Sequence, residues 1–136
     1  MTPNREDYLK LILELGGDQQ QISNKQIVSG LAISAASVSE MISKLVKEGL
    51  VKHTPYQGVQ LTTAGLEKAS SLIRRHRLWE VFLVEHLNYS WNEVHDDAEV
   101  LEHVTSDTLA HRLEIYLNHP EYCPHGGMIP KETQTI

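Results

Sequence analysis

A mainly α-helical chain with one short β-hairpin is the fold class that three observations predict. Apolar residues recur at helical spacing through most of the sequence. Residues 22–51, I-S-N-K-Q-I-V-S-G-L-A-I-S-A-A-S-V-S-E-M-I-S-K-L-V-K-E-G-L-V, read as two helices split by a tight turn. Over residues 50–62 the apolar period then drops to that of a strand pair.

Each element follows in order. D-Y-L-K-L-I-L-E-L sets Tyr8, Leu11, Ile12 and Leu15 on one face, and Gly16-Gly17-Asp18 stops it, which predicts a first helix over 4–15. Ser23 or Asn24 caps a second helix with Ile27, Val28 and Leu31 as its apolar face. Ser34 caps a third, where Val38, Met41, Ile42 and Leu45 fall at i, i+3, i+4 and i+7 and point inward, and Gly49 ends it. Val51, His53, Val59 and Leu61 flank a Pro55-Tyr56-Gln57-Gly58 turn, a hairpin. Thr62 or Thr63 opens a long helix through Leu66, Ala69, Leu72, Ile73, Leu78, Phe82 and Leu83 to about Leu87. N-Y-S-W-N (88–92) is a loop, and two more helices follow over 93–104 and 107–118. The tail 119–136, with Pro120, Pro124, Pro130 and Gly126-Gly127, reads as coil. Helix, helix–turn–helix and hairpin in that order make a winged helix-turn-helix over residues 1–62, followed by a helical domain with a proline-rich tail over 63–136.

At 136 residues and 40% apolar, the chain is long enough for one domain or two small ones with a buried core. No run of about 18 apolar residues exists, so no membrane partner is expected. The opening M-T-P-N-R-E-D lacks the plan of a secretory signal, and the one cysteine, Cys123, has no internal disulfide partner, so a cytoplasmic location is expected. The net charge of −6 is unevenly spread. Residues 1–60 hold six basic and six acidic side chains, whereas residues 92–136 hold two and nine, with five of the eight histidines. The first half is therefore not repelled from nucleic acid by its own charge, and a cation bound in the last third would offset the excess there.

In a helix-turn-helix the outward N-terminal residues of the second motif helix meet base edges. Here these are Ser34, Ala35, Ala36, Ser37, Ser39 and Glu40, small enough for close approach, with Glu40 an acceptor for a cytosine amine or a repeller of phosphate. Lys25, Lys44, Lys47 and Lys52 are the phosphate candidates, and Tyr56 stands at the hairpin tip. So few basic side chains bind weakly in one copy, and a homodimer reading a palindromic operator in double-stranded DNA would correct that. The blander reading is a small helical domain with serines on a solvated face.

H-D-D-A-E-V-L-E-H at residues 95–103 holds four carboxylates and two histidines. At about 100° per residue, His95, Glu99, Glu102 and His103 share one sector, while Val94, Ala98, Leu101 and Val104 lie elsewhere and are expected to build the core. Glu99, Glu102 and His103, at i, i+3 and i+4, can offer three donors to one ion. His76 and Glu80, one turn apart, make a second set. Asp96 and Asp97 point away and are expected to be solvated or to cap. Each set alone is weak, since a charged helix face is more often simply solvated.

L-V-K-E-G-L-V, R-R-H-R-L-W-E (74–80), V-H-D-D-A-E-V-L-E-H-V-T-S-D (94–107) and C-P-H-G-G-M-I-P (123–130) together resemble the metal-dependent repressors of the diphtheria-toxin-repressor family over nearly the whole chain. The resemblance implies an N-terminal winged-helix domain, a helical dimerisation and metal-binding domain, operator binding activated by metal, and control of metal-uptake genes rather than enzymatic activity. Iron-sensing members place Met and Cys ligands where this chain has Asp7 and Glu99, so the chain resembles the manganese-sensing branch. Hard carboxylates in place of sulfur suit Mn2+, with Fe2+ open and Zn2+, Co2+ or Cd2+ as substitutes in vitro. The resemblance gives Asp7, Glu99, Glu102 and His103 as primary ligands and His76, Glu80 and His95 as secondary ones, with Cys123 and His125 as a C-x-H pair that joins or replaces them. Lys10 stands where two-domain manganese members carry a further carboxylate, which argues against their two-ion cluster. The C-P-H-G-G-M-I-P stretch resembles the linker to a small C-terminal barrel domain, so a longer protein is expected. An iron-responsive regulator of the same family and a winged-helix repressor released by a small organic ligand are the alternatives. A metal hydrolase is disfavoured because no separate base, nucleophile or substrate pocket is evident in the sequence.

Overall fold

The computed structural model describes residues 3–131. It runs α1 (Arg5–Glu14), α2 (Asn24–Leu31), α3 (Ala35–Lys47), β1 (Val51–Thr54), β2 (Gly58–Leu61), α4 (Thr63–Leu87), α5 (Val94–Val104) and α6 (Asp107–Tyr116). The chain divides into two compact units, Met1–Ser70 and Ser71–Ile136, with the division inside α4. No single helix among the described residues is long and apolar enough to cross a membrane.

In the first unit short polar side chains set the helix starts. Asn4 caps α1 by accepting from the amides of Glu6 and Asp7 at 2.9 and 3.1 Å, and Asp7 Oδ2 accepts in return from the Asn4 amide at 2.9 Å. Ser23 and Gln26 make the same reciprocal box for α2, and Ser34 Oγ accepts from the Ser37 amide at 3.1 Å to start α3. Thr62 caps α4, accepting from the Gly65 amide at 3.1 Å. Each such cap is worth about 1 kcal/mol. Helices α2 and α3 meet at 113°, within the range of a helix-turn-helix. Tyr8, Leu9 and Ile12 of α1 pack with Ile27, Val38, Ile42 and Leu45 into one apolar core, all 4% exposed or less.

The hairpin pairs β1 and β2 antiparallel, with Val51 opposite Leu61 and Thr54 opposite Gly58. Gly58 has φ +126°, and a Cβ there would stand 2.2 Å from the Ile22 carbonyl. Only glycine fits, because Ile22 and Val59 exchange both amide hydrogen bonds at 2.8 Å and bring the segment before α2 against the wing. This fixes the hairpin beside the helix-turn-helix.

The second unit has a smaller apolar cluster, Leu78, Val81, Leu113, Cys123 and Ile129, flanked by Trp79, Phe82 and Leu117. Its helices are tied by polar contacts. Arg74, 4% exposed, donates to Glu114 at 3.1 Å, Arg75 pairs with Asp107, and Trp79 Nε1 donates to Thr105 Oγ1 at 2.8 Å.

One expectation needs correction in this unit. Val104, expected in the core, is 73% exposed, and Glu102 takes the buried place at 0%. Val94, Ala98 and Glu102 are four residues apart and form one inward stripe, whereas Val104 lies about 200° round the helix from Glu102. The tail has no helix or strand among the described residues, as expected, and it folds back on itself. Tyr122 and Met128 form a bridge, the Ile129 amide donates to the Glu121 carbonyl at 2.8 Å, and the Cys123 amide donates to the Gly127 carbonyl at 2.9 Å. Residues 132–136 of the K-E-T-Q-T-I end lie outside the described residues.

Candidate metal centre

Helix α5 presents Glu99, Glu102 and His103, and the facing part of α4 presents His76 and Glu80. Glu102 Oε1 lies 2.7 Å from His76 Nδ1, and Glu102 Oε2 lies 3.7 Å from His103 Nε2. On its other edge, His76 Nε2 is 3.4 Å from Glu80 Oε2, with the Glu80 side chain 4% exposed. His95 Nε2 is 3.2 Å from Glu99 Oε2, and the His95 ring stands 4.9 Å from the His76 ring.

The tail closes the far side. His125 Nδ1 lies 3.0 Å from Glu80 Oε2, and its Nε2 meets the Trp91 carbonyl. The Cys123 side chain hydrogen-bonds Glu80, while Cys123 Sγ accepts from the Gly127 amide at 3.3 Å. By sequence, Glu99, Glu102 and His103 form one set and His76, Glu80 and His95 another. In the folded unit they interleave: Glu102 of the first set bonds His76 of the second, and Glu99 pairs with His95. Spacing along α5 anticipates the His95–Glu99 pair, which is i,i+4, but not the His76–Glu102 bond, which runs between helices. Asp7 belongs to the first unit, where its carboxylate closes the α1 cap. Asp96 and Asp97 are exposed, and the Tyr89 hydroxyl donates to Asp97 at 2.5 Å.

Electrostatics bind this cluster. Burial disfavours the charged His76 ring, but hydrogen bonds to Glu102 and Glu80 outweigh it and raise its pKa to about 9. Burial pushes the Glu80 carboxyl up, and the bond to His76, the charges of His76 and His125 and the bond to Cys123 more than reverse this, holding it below the usual range. The buried Glu80 carboxylate is thus kept ionised by its positive neighbours.

The donor set fits a divalent cation. Donor atoms of His76, Glu80 and His95 all lie within 4.8 Å of one another, as do those of Glu80, Cys123 and His125 and those of His76, Glu99 and Glu102. Ligand bonds of about 2.0–2.6 Å put two donors of one ion up to about 5 Å apart, so each group can converge on a cation by side-chain adjustment. Carboxylate and imidazole donors suit a hard or borderline ion, and the Cys123 thiol softens the tail side.

In the first unit Ser34, Ala35, Ala36, Ser37, Ser39 and Glu40 form an exposed strip at the N-terminal end of α3, and Lys25, Lys44, Lys47 and Lys52 are exposed. Ser39 Oγ accepts from Asn24 Nδ2 at 3.4 Å, and Lys44 stands 3.8 Å from Glu40. Tyr56 is fully exposed at the hairpin tip. Asn24, which sequence reasoning weighed only as a cap, thus joins this polar strip.

Known proteins resemble both units. Residues 1–59 match the family model described as "Iron dependent repressor, N-terminal DNA binding domain". Residues 62–131 match "Iron dependent repressor, metal binding and dimerisation domain". The solved structure of the manganese regulator SloR is 54% identical, with a TM-score of 0.85 over 98% of this chain and 62% of its own. The iron-dependent repressor IdeR of Mycobacterium leprae is 34% identical over 130 residues, 96% of this chain and 56% of that protein. A protein of Chlamydia trachomatis named "Probable metal transport system membrane protein" is 47% identical over 90 residues, 66% of this chain and 20% of its own length. The chain thus spans 56% of the length of the IdeR repressor and 62% of the SloR chain. With both of its units matched, the chain belongs to the iron-dependent repressor family, the metal-dependent repressors of the diphtheria-toxin-repressor type.

Proposed function

We propose that the chain is a manganese-activated transcriptional repressor that binds a palindromic operator as a homodimer and controls genes for metal uptake. The observation that carries this reading is Glu102, a carboxylate 0% exposed whose oxygens face His76 and His103 in a helix that also presents Glu99. Burying a carboxyl this deeply is costly unless positive groups or hydrogen bonds compensate it. Support for manganese comes from the oxygen donors at Asp7 and Glu99 and from the likeness to a manganese regulator. The resemblance to a metal transport protein supports the link to uptake.

In this reading Glu99, Glu102 and His103, with Asp7 from the DNA-binding unit, hold the activating ion, and His76, Glu80, His95, Cys123 and His125 hold a second. A bound dication supplies the positive charge that draws these carboxylates together. His76 would release its ring proton to solvent to donate its nitrogen to the ion. Exposed apolar side chains on α5 and α6, Val100, Val104, Leu109 and Ile115, give the dimer its contact. The strip from Ser34 to Glu40 reads bases while Lys25, Lys44, Lys47, Lys52 and Tyr56 meet the backbone. Coupling is reciprocal, so operator DNA tightens metal binding by the factor by which metal tightens DNA binding. The test is binding of DNA from upstream of metal-uptake genes, with and without Mn2+, and an affinity unchanged by the metal overturns the reading. An iron-responsive regulator is the second reading, favoured by the Cys123 thiol beside Glu80 and His125. Stronger activation by Fe2+ than by Mn2+ in the same assay would select it.

A further inference from the structure

The R-R-H-R-L-W-E stretch of α4 sends successive polar side chains to different elements. Arg74 and Arg75 reach carboxylates on α6, His76 reaches Glu102 on α5, and Glu80 reaches His125 in the tail. Arg77 does something different from its two arginine neighbours. Its Nη1 donates to the backbone carbonyl of Met128, and its guanidinium lies along Gly127, where an added Cβ would stand 3.0 Å from both Cζ and Nε.

The loop it touches carries Cys123 and His125. That loop is closed on itself by the Cys123 amide to the Gly127 carbonyl and the Gly126 amide to the Cys123 carbonyl, both 2.9 Å, and by the Gly127 amide to Cys123 Sγ at 3.3 Å. Arg77 and Glu80 are three residues apart on one helix, so they grip the loop at two points. Glu80 holds the inner side through Cys123 and His125, and Arg77 holds the outer side through Met128 and Gly127. A planar guanidinium can bond a carbonyl while lying flat on a residue without a side chain, and a lysine ammonium cannot.

We propose that Arg77 is a positioning residue, which anchors the 123–128 loop to α4 so that the Cys123 thiolate and His125 imidazole stand over Glu80 to share a divalent cation. This rests on the reading of Glu80, Cys123 and His125 as metal ligands. Partners that orient ligands typically change metal affinity by about 10- to 100-fold.

The test is a Co2+ titration of the 136-residue chain, in which a thiolate ligand gives a near-ultraviolet sulfur-to-cobalt absorption band. The wild type shows the band and Cys123→Ser abolishes it. Arg77→Met retains the band at saturation but needs about 10-fold more Co2+ or beyond to reach it, Arg77→Lys recovers part of the loss, and the part of the Co2+ titration that carries no thiolate band is unchanged. Gly127→Ala, which crowds the guanidinium without altering its charge, weakens the same band and keeps the proposal testable if Arg77→Met does not fold. A wild-type band with unchanged affinity in Arg77→Met, or in Gly127→Ala should Arg77→Met not fold, overturns the role of Arg77 alone. A wild type without the band overturns the ligand reading and the role together.

Discussion

The two units bury different chemistry. In the first, the core is mainly apolar, from Tyr8 through Leu45 to Val59, with Lys10 the one buried charged side chain among the described residues, and the other polar side chains that shape it work at helix ends. In the second, the apolar cluster is smaller, and Arg74, Glu80, Glu102 and Thr105 are buried beside it. A core held by hydrophobic burial does not depend on what is dissolved around it. A core built on buried carboxylates depends on cations that neutralise them. One unit is therefore suited to keep a constant surface for DNA, and the other to change with the supply of metal.

The sharpest way to break this contrast is to remove the buried charge. Glu102→Ala strips His76 of its 2.7 Å partner and is expected to cost about 3–5 kcal/mol in denaturant unfolding, with the response of DNA binding to metal lost. A cost under 1 kcal/mol would mean that the second unit does not rest on this charge. Adding metal should act in the opposite sense. Mn2+ at about 100 times its dissociation constant is expected to add about 2.7 kcal/mol, and hydrogen exchange should slow mainly in α5 and the tail, with the helix-turn-helix little changed. On the other side of the comparison, Ser34→Ala removes the α3 cap and is expected to cost about 1 kcal/mol with the metal affinity untouched. Lys44→Ala and Lys47→Ala should each lower DNA affinity and reduce its logarithmic salt slope by about 1, to the same extent at every metal concentration.

The smallest effect is acid sensitivity. Burial raises the Glu114 carboxyl, and its bonds to His119 and Arg74 outweigh this and hold it below the usual value of 4.5. A folded pKa below the unfolded one stabilises above pH 4.5 and is lost as pH falls through the lowered value. Glu114→Gln should therefore flatten the loss of stability below pH 4.5, which thermal melts across that range would read.

Local chemistry made much of the first unit legible in advance. Ser23, Ser34 and Thr62 mark helix starts because a short side-chain oxygen satisfies free amides, and the hairpin shows as a change of period. The second unit was legible in its residue types and less so in their arrangement. A helical sector says which side chains share a face, and not which face the rest of the protein covers. Here Glu102 follows Val94 and Ala98 at four-residue steps into the interior while Val104 turns out. The pairing of His76 with Glu102, and of Arg77 with the Met128 carbonyl, joins residues far apart in the chain. The proline- and glycine-rich tail hid a closed loop, because its order comes from backbone bonds around Cys123 and Gly127 rather than from periodicity.

In the proposed reading, an ion held by the carboxylates of the second unit governs the DNA affinity of the first. Its most direct test is a titration of DNA affinity with Mn2+, Fe2+ and Zn2+ for the wild type and Glu102→Ala. Mn2+ is expected to tighten wild-type binding by a factor of about 5–150 and to leave the variant unchanged. Equal wild-type affinity with and without metal, or an undiminished response in Glu102→Ala, would contradict this reading.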